Sequence, residues 1–398
     1  MKIATGWSTN GDAESAIEEA WGSILDGLNE NIVLVQCSAS AAYTAEQLQA
    51  KLKALVPEGC KIAATSSCLG AMSNQGFHSD DGAGLCLIAF ADEGDFGVGL
   101  SRQHNDPVRA ASSATFQAID DANRPGELPV LVWVNAAPGA EESVLEGIVE
   151  AIGNNVPIMG GSSADNNITG EWWQFSAMEQ TSDGVLIIAM YPEAKVGFSF
   201  HSGYLATEHA AVVTKSSGRI IYSLDNLPAA QVYDKWVDGG IGEQMAGGNI
   251  LQQTTLFPLG RETGQIEDIP YYTLMHPDQV LEEGALSLFS NIETGEQVTL
   301  MQGSADSLAS RAGSVVSGIL ERQNWQAEQV CGALIVYCAG CMLGIQERMD
   351  EVSQGIDRSL DGAPFSGLFT FGEQGCFIDG ISRHGNLMIS AVVFANEN

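Results

Sequence analysis

Positive charge is what this chain has least of. Seventeen Lys and Arg face 50 Asp and Glu, a formal net charge of −33 over 398 residues. Nucleic acid and anionic lipid both require a cationic surface, so neither nucleic acid nor membrane is expected as a direct partner. Long apolar runs are missing as well: mean hydropathy is +0.04, and no stretch approaches the roughly 18 residues of a membrane span. The start, MKIATGWSTNGDAESAI, has neither a long apolar core nor a small-residue cleavage site. It reads as a first strand and helix, so a cytoplasmic location is expected. No Gly-x-Ser-x-Gly elbow occurs, and acidic pairs such as Asp80-Asp81 and Glu282-Glu283 read as solvated faces. Without a positioned nucleophile or acid–base set, no catalytic residue is assigned and the chain is not expected to be an enzyme. One Cys-x-x-Cys, Cys338 to Cys341, supplies half of a tetrahedral zinc site and no second pair completes it. No metal site is expected, and the eight cysteines read as reduced, small buried hydrophobes.

What is present is a recurring pattern. NIVLVQCSAS, a helical TAEQLQAKLKAL, CKIAATSSCLGAM and GAGLCLIAFAD are echoed by LPVLVWVNAA, EESVLEGIVEAIG, PIMGGSSADN and DGVLIIAMYP. They are echoed again by GALIVYCAGC, GIQERMDEVSQGIDRSL, PFSGLFTFGEQG and GNLMISAVVFA. Each copy is preceded by a strand that gives way to a helix. Three diverged copies of one strand-helix-strand-helix-strand-hairpin unit result, with a period far longer than that of a solenoid. The fold class is mixed α/β (α+β), with mixed sheets and outer helices, because a hairpin after each strand-helix-strand cannot be wholly parallel. Helices are expected over 12–28, 45–55, 107–122 and 141–152, with Ser8 or Asn10 as the first cap. Hairpins are expected from 84–90 with 96–100 and from 175–178 with 185–190. A boundary at Pro192-Glu193 divides residues 1–193, holding two units, from residues 194–398. The second part is a strand-rich insert and then a third unit beginning at 298–301. The Gly- and Gln-rich stretch 238–268 reads as a mobile flap.

The unit is best displayed at VPIMGGSSADNNITGEWWQF. A buried apolar strand stops at Gly160-Gly161, where backbone can turn or be closely approached. Hydroxyl, amide and indole groups follow. The expected small-molecule site is Gly160, Gly161, Ser162, Ser163, Asp165, Asn166 and Trp172. Gly and Ser give hydrogen bonds, Asp165 a charge for an ammonium group, and Trp172 an apolar or cation-binding wall.

GGSSADN followed by Trp, an apolar strand and RIIYSLDNLPAAQVYDKW resembles the joint between the halves of FIST-domain proteins. KIAATSSCLGAM resembles the first half, GALIVYCAGC and SGLFTFGEQG the second. The resemblance implies a cytoplasmic sensory module that binds a small ligand and acts on a signalling protein such as a histidine kinase. Stand-alone members similar to haem-binding nitric-oxide sensors imply a haem b, although no Cys-x-x-Cys-His motif is present. Cys341 stands where the family pattern has a basic residue, so any contact of that residue with an anionic ligand is lost here. Under the haem implication a histidine must face an apolar cavity. His276, beside Tyr271, Tyr272 and Met275, is the first choice and His104 the second. His78, His384 and His209 read as exposed or loop residues, and His201 faces away from Phe198 and Phe200. The alternatives are a sensor of a small metabolite such as an amino acid, without haem, or an interaction scaffold.

Overall fold

Helices form where apolar residues recur at helical spacing. Ala13–Gly27 buries Ala16, Ile17, Ala20 and Ile24 on one face. Its cap is Asp12, not Ser8 or Asn10, and the Asp12 side chain accepts from Ser15 N. Ala45–Leu55, Pro107–Asp121 and Glu141–Ile152 fall where periodicity places them. In this computed structural model, which describes residues 1–28, 31–266 and 269–396, such helices cover the outer faces of three six-stranded mixed sheets.

All three sheets share one plan. The first runs Lys2–Ser8, Leu85–Ala91, Ile32–Ser40, Lys61–Ser67 across its width. The second runs Asp95–Arg102, Gly184–Tyr191, Leu131–Ala136, Ile158–Ser162, and the third Lys195–Ser202, Met388–Ala395, Val330–Cys338, Phe365–Thr370. In each, the last strand of the unit lies between its first and second strands. The second and third strands are parallel and the other pairings antiparallel.

The outer edge of each third strand is covered by a hairpin from another unit. Ala71–Ser73 with Gly76–His78, from the first unit, extends the third sheet. Gln174–Ser176 with Gln180–Thr181, from the second, extends the first sheet. Glu373–Cys376 with Ser382–Gly385, from the third, extends the second. The exchange is cyclic, so the three units interlock, and each exposed edge is closed by a neighbour's chain. The inner faces of all three sheets meet in one core that includes Phe90, Trp133, Val336 and Phe394.

Four sequence expectations are corrected. The strands around 84–90 and 96–100 do not pair with each other: Leu85–Ala91 belongs to the first sheet and Asp95–Arg102 to the second. Both edges of Leu85–Ala91 are taken, by Lys2–Ser8 and Ile32–Ser40, so no edge is left for Asp95–Arg102. The turn at Asp92 to Gly94 therefore leads to a new sheet. Likewise Phe175 pairs with Ala64 and Gln180, not with the 185–190 strand. The third unit starts with Lys195–Ser202, and residues 205–302 form an inserted nine-stranded sheet. Gln297–Gln302 pairs within that insertion; its alternating apolar residues fit any half-buried sheet, and only the following helix, Ala305–Gln323, belongs to the third unit. The stretch 238–266 is not irregular throughout: it contains Gly248–Asn249, the helix Leu251–Thr254 and the strand Leu259–Ile266. Residues 267 and 268 of the expected flap lie outside the described residues.

Candidate functional site

The three strand ends that the sequence repeats meet one another. Cys68 N donates to Phe369 O at 3.1 Å, Ala164 N to Ser66 O at 3.1 Å, and Phe371 N to Ser162 O at 3.4 Å. Each unit thus hydrogen-bonds the next in a closed ring. Gly161 is needed for this approach, since a Cβ there would stand 2.6 Å from Thr370 Cγ2 and 2.9 Å from Val336 Cγ1.

Beside this ring, between the second and third units, is a cavity of about 280 Å3. Gly139 and Glu141 come from the loop that enters Glu141–Ile152, Ile168 and Trp172 from the second unit's lip. The third unit supplies Cys338, Gly340, Thr370 and Phe371. The insertion closes the top with Arg219, Leu251, His276 and Phe289. Ligand sites in α/β sheets recur outside the carboxyl ends of parallel strands where connectivity diverges, and this cavity has that position. Trp172 meets Phe371 edge to face, ring centroids 6.3 Å apart, and its indole N–H donates to Ser182 O at 3.0 Å.

Charge is concentrated at one end. Arg219 Nη2 is 2.6 Å from Glu141 Oε2 and 2.7 Å from Glu142 Oε2. Glu141 is buried, and its other oxygen accepts from Gly139 N at 3.0 Å and Ser162 Oγ at 2.9 Å. Burial pushes Glu141 and Glu142 up, but His384 and Arg219 outweigh it and both carboxyls lie below their ordinary value. Behind Thr370, outside the lining, Glu373 behaves in the opposite way. It is fully buried, takes the Thr370 hydroxyl at 2.7 Å and Met388 N at 2.9 Å, and burial with the neighbouring Cys338 holds it well above the carboxylate range. Burial and Cys341 also keep the Cys338 thiol protonated. Asn386 Oδ1 accepts from His276 N and Ser290 Oγ; its amide nitrogen has no acceptor among the described residues, and Asn386 lines the cavity.

Of the residues expected from sequence, Trp172 and His276 line this cavity. Ser162 supports it through Glu141, and Gly161 through its contact with the third unit. Gly160 is extended strand backbone against Val134, and Ser163 bonds Thr65 Oγ1 and Gln174 Nε2, both at 2.7 Å, away from the lining. Asp165 does not present a charge to a ligand. It accepts the backbone N–H groups of Asn167, Ile168, Thr169, Gly170 and Glu171, which hold the loop leading to Trp172. Asn166 ties Ser40, Leu69 and Gly82 together at a separate surface depression. His104 is exposed in a left-handed turn (φ 43°) outside the cavity. His78 and His384, read as exposed, are buried: His78 stacks on Trp7 with centroids 4.0 Å apart, and His384 Nε2 is 3.2 Å from Phe289 O. His209 is half-buried against Trp236.

Sequence reasoning missed Glu141, Arg219, Phe371 and Asn386. Glu141 was visible as the start of a helix. Arg219 was one of few cations in an acidic chain, and only the fold brings it to Glu141.

A haem does not fit these residues. His276 Nε2 lies 3.2 Å from Leu251 O and so donates to it, while burial pushes the imidazole down to about 4 and keeps it neutral. A haem needs a free imidazole nitrogen aimed at a large apolar space. Here one nitrogen is engaged, and the space is just below the roughly 300–1,000 Å3 of drug-sized sites.

Residues 31–227 match the FIST N domain and residues 229–376 the FIST C domain. The chain belongs to the FIST-domain family. FIST domains are associated with the sensing of small ligands in signal transduction. A stretch of 88 residues is 31% identical to an uncharacterized protein of Methanocaldococcus jannaschii, covering 22% of this FIST chain and 17% of that protein. The chain thus spans less than a fifth of that relative's length. Among solved structures, a cyanuric acid hydrolase from A. caulinodans is similar over 100% of this chain and 99% of its own, at TM-score 0.40 and 9% identity.

That neighbour is an enzyme, and the expectation that this FIST chain is not one is withdrawn. The expectation rested on a missing local motif. In this fold polar groups meet without such a motif: Ser162 Oγ, with no elbow around it, lies 2.9 Å from the Glu141 carboxylate of its own unit and 3.3 Å from Gln374 Nε2 of the third unit. At that TM-score the likeness brings no reaction to this chain. Among the described residues no helix is long and apolar enough to cross a membrane.

Proposed function

We propose that this FIST protein senses a small metabolite of about amino-acid size, bound in the cavity between its second and third units. The observation that carries the reading is that the insertion closes over one junction of the three-fold ring and is fastened there by Arg219 on Glu141 and Glu142. Trp172, Phe289 and Phe371 favour an aromatic or apolar body; Glu141 and Asn386 offer a carboxylate and an amide for an ammonium and a carboxylate. Binding would set the position of the insertion relative to the units, and the insertion would present that state to a signalling protein. The finer reading, haem-based nitric-oxide sensing that acts on a histidine kinase, has family resemblance as its support.

The test is a thermal-shift screen of the purified chain with the twenty amino acids. A ligand that binds only the folded state stabilises it by about 2.7 kcal/mol at a hundred times Kd. An aromatic or apolar amino acid should raise Tm, and Trp172→Ala should abolish the rise. A panel without effect, or an undiminished rise in Trp172→Ala, would remove this reading.

A further inference from the structure

On the far side of the third unit, Lys195–Ser202, the end of the helix Ala305–Gln323 and the loop at Cys376 to Gly380 enclose a second cavity of about 240 Å3. Phe198, Tyr271 and Phe377 form its apolar walls, and His201 and Arg322 its polar ones. Behind His201 lies Arg311, whose Nη2 is 3.0 Å from His201 Nδ1.

Carboxylates outnumber cations 50 to 17, and Arg124, Arg219, Arg261, Arg348 and Arg383 each pair with one. Arg311 and Arg322 have no carboxylate partner among the described residues. Arg322 Nη2 donates to Phe198 O at 3.1 Å, and Arg311 Nε is buried without a partner. Asp379, the carboxylate of the adjoining loop, is occupied by Arg383 at 2.7 Å. Burial lowers the pKa of Arg311, and burial together with Arg311 and Arg322 pushes His201 down to about 4. Arg311 is half-buried with its Nε unpartnered, and an anion in the cavity would supply the counter-charge that no neighbouring carboxylate gives.

We propose that this cavity is a second ligand site, for an oxyanion head group carried on an aromatic or apolar body. Arg322 meets the oxyanion, since a guanidinium fork matches carboxylate and phosphate alike, and Arg311, held behind His201, adds positive charge from outside the lining. Phe198, Tyr271 and Phe377 hold the body. The site is independent of the cavity beneath the insertion, with which it shares no lining residue.

The test compares benzoate, inorganic phosphate and uncharged benzyl alcohol by thermal shift at constant ionic strength, in the wild type, Arg322→Gln and Arg311→Met. Saturating benzoate is expected to raise Tm by about 2–3 °C, and Arg322→Gln to lose at least half of that rise. A phosphate response without a benzoate response would still support the site and assign it to a phosphate ester. Arg322 is exposed, so its variant keeps the test decisive should Arg311→Met not fold. No response to either anion, an equal response to benzyl alcohol, or an undiminished response in Arg322→Gln would overturn the proposal. Trp172→Ala should leave the benzoate response intact, which separates this result from failure of the first cavity.

Discussion

Arg219 Nη2 lies 2.6 Å from Glu141 Oε2, joining a turn of the insertion to the first residue of a second-unit helix, 78 positions away in sequence. The carboxylate is 3% exposed and the guanidinium 21%. Two charges so placed are stabilising only while both remain, because removal of one leaves the other buried and uncompensated.

Arg219→Ala is therefore expected to destabilise the protein by about 3 kcal/mol, measured by urea denaturation at pH 7. The double variant Arg219→Ala, Glu141→Gln should recover part of that loss, since the stranded charge is gone. Ligand-induced stabilisation through the first cavity should be lost in Arg219→Ala even where the protein stays folded. Equal stability of the single and double variants would show that Glu141 is solvated rather than paired.

The repeat was legible because each unit writes the same succession: apolar strand, amphipathic helix, apolar strand with a small-residue end. Val330–Cys338 and Phe365–Thr370 could be placed from that pattern alone. Pairing between units was not legible. Nothing in the residues 71–78 says that Ala71–Ser73 adds to Phe365–Thr370, almost 300 residues downstream, because backbone hydrogen bonding carries no sequence signature. The site followed the same division. Trp172 stood out as an indole beside small polar residues and His276 as an imidazole beside Tyr271, Tyr272 and Met275, whereas Glu141 read as an ordinary helix start and Arg219 as a turn residue. Their roles come from a contact that the insertion makes with a different unit.

Asp165 should behave as a loop clamp and not as a ligand contact. Burial pushes its carboxyl up, but the N–H groups of Glu171, Thr169, Ile168 and Gly170 outweigh it and hold the value below 3.8. Asp165→Ala should cost about 2 kcal/mol and loosen Trp172, seen as a change in indole fluorescence. The folded-state pKa is depressed, so this stabilisation is complete above about pH 4 and is lost as pH falls further. Asp165→Asn, which keeps an acceptor, should lose less. A variant as stable as the wild type would show that the loop does not depend on the carboxylate.

Mild acid should unfold this protein through its histidines before its carboxylates. Burial pushes His78, His201 and His276 from 6.5 to about 4. The unfolded chain binds protons that the native state refuses, so stability is complete above about pH 6.5 and falls as pH drops toward 4. Each group contributes a loss of about 2 kcal/mol between pH 7 and pH 5. The check is urea titration at pH 7, 6 and 5 of the wild type and of His78→Gln. The variant should show a shallower fall. Identical slopes would place the acid sensitivity elsewhere.

Haem addition supplies the sharpest test of the site around His276. Ligation through Nε2 would require His276 to leave the Leu251 carbonyl, and ligation through either nitrogen would require the cavity to grow beyond its about 280 Å3. The first change gives up one hydrogen bond, since the Thr254 and Thr255 hydroxyls still donate to that carbonyl. Haem titrated into the purified protein is therefore expected to give no saturable Soret band and no spectral change with nitric oxide. The result should be the same for His276→Ala and His104→Ala. His276→Ala should instead destabilise the protein, since a buried imidazole is removed from the core, Leu251 O keeps only its Thr254 and Thr255 donors, and Phe289 loses its edge contact at 6.1 Å. A saturable band in the wild type that disappears in His276→Ala would show that the insertion opens far enough to admit the macrocycle, and would return haem as the ligand of this cavity.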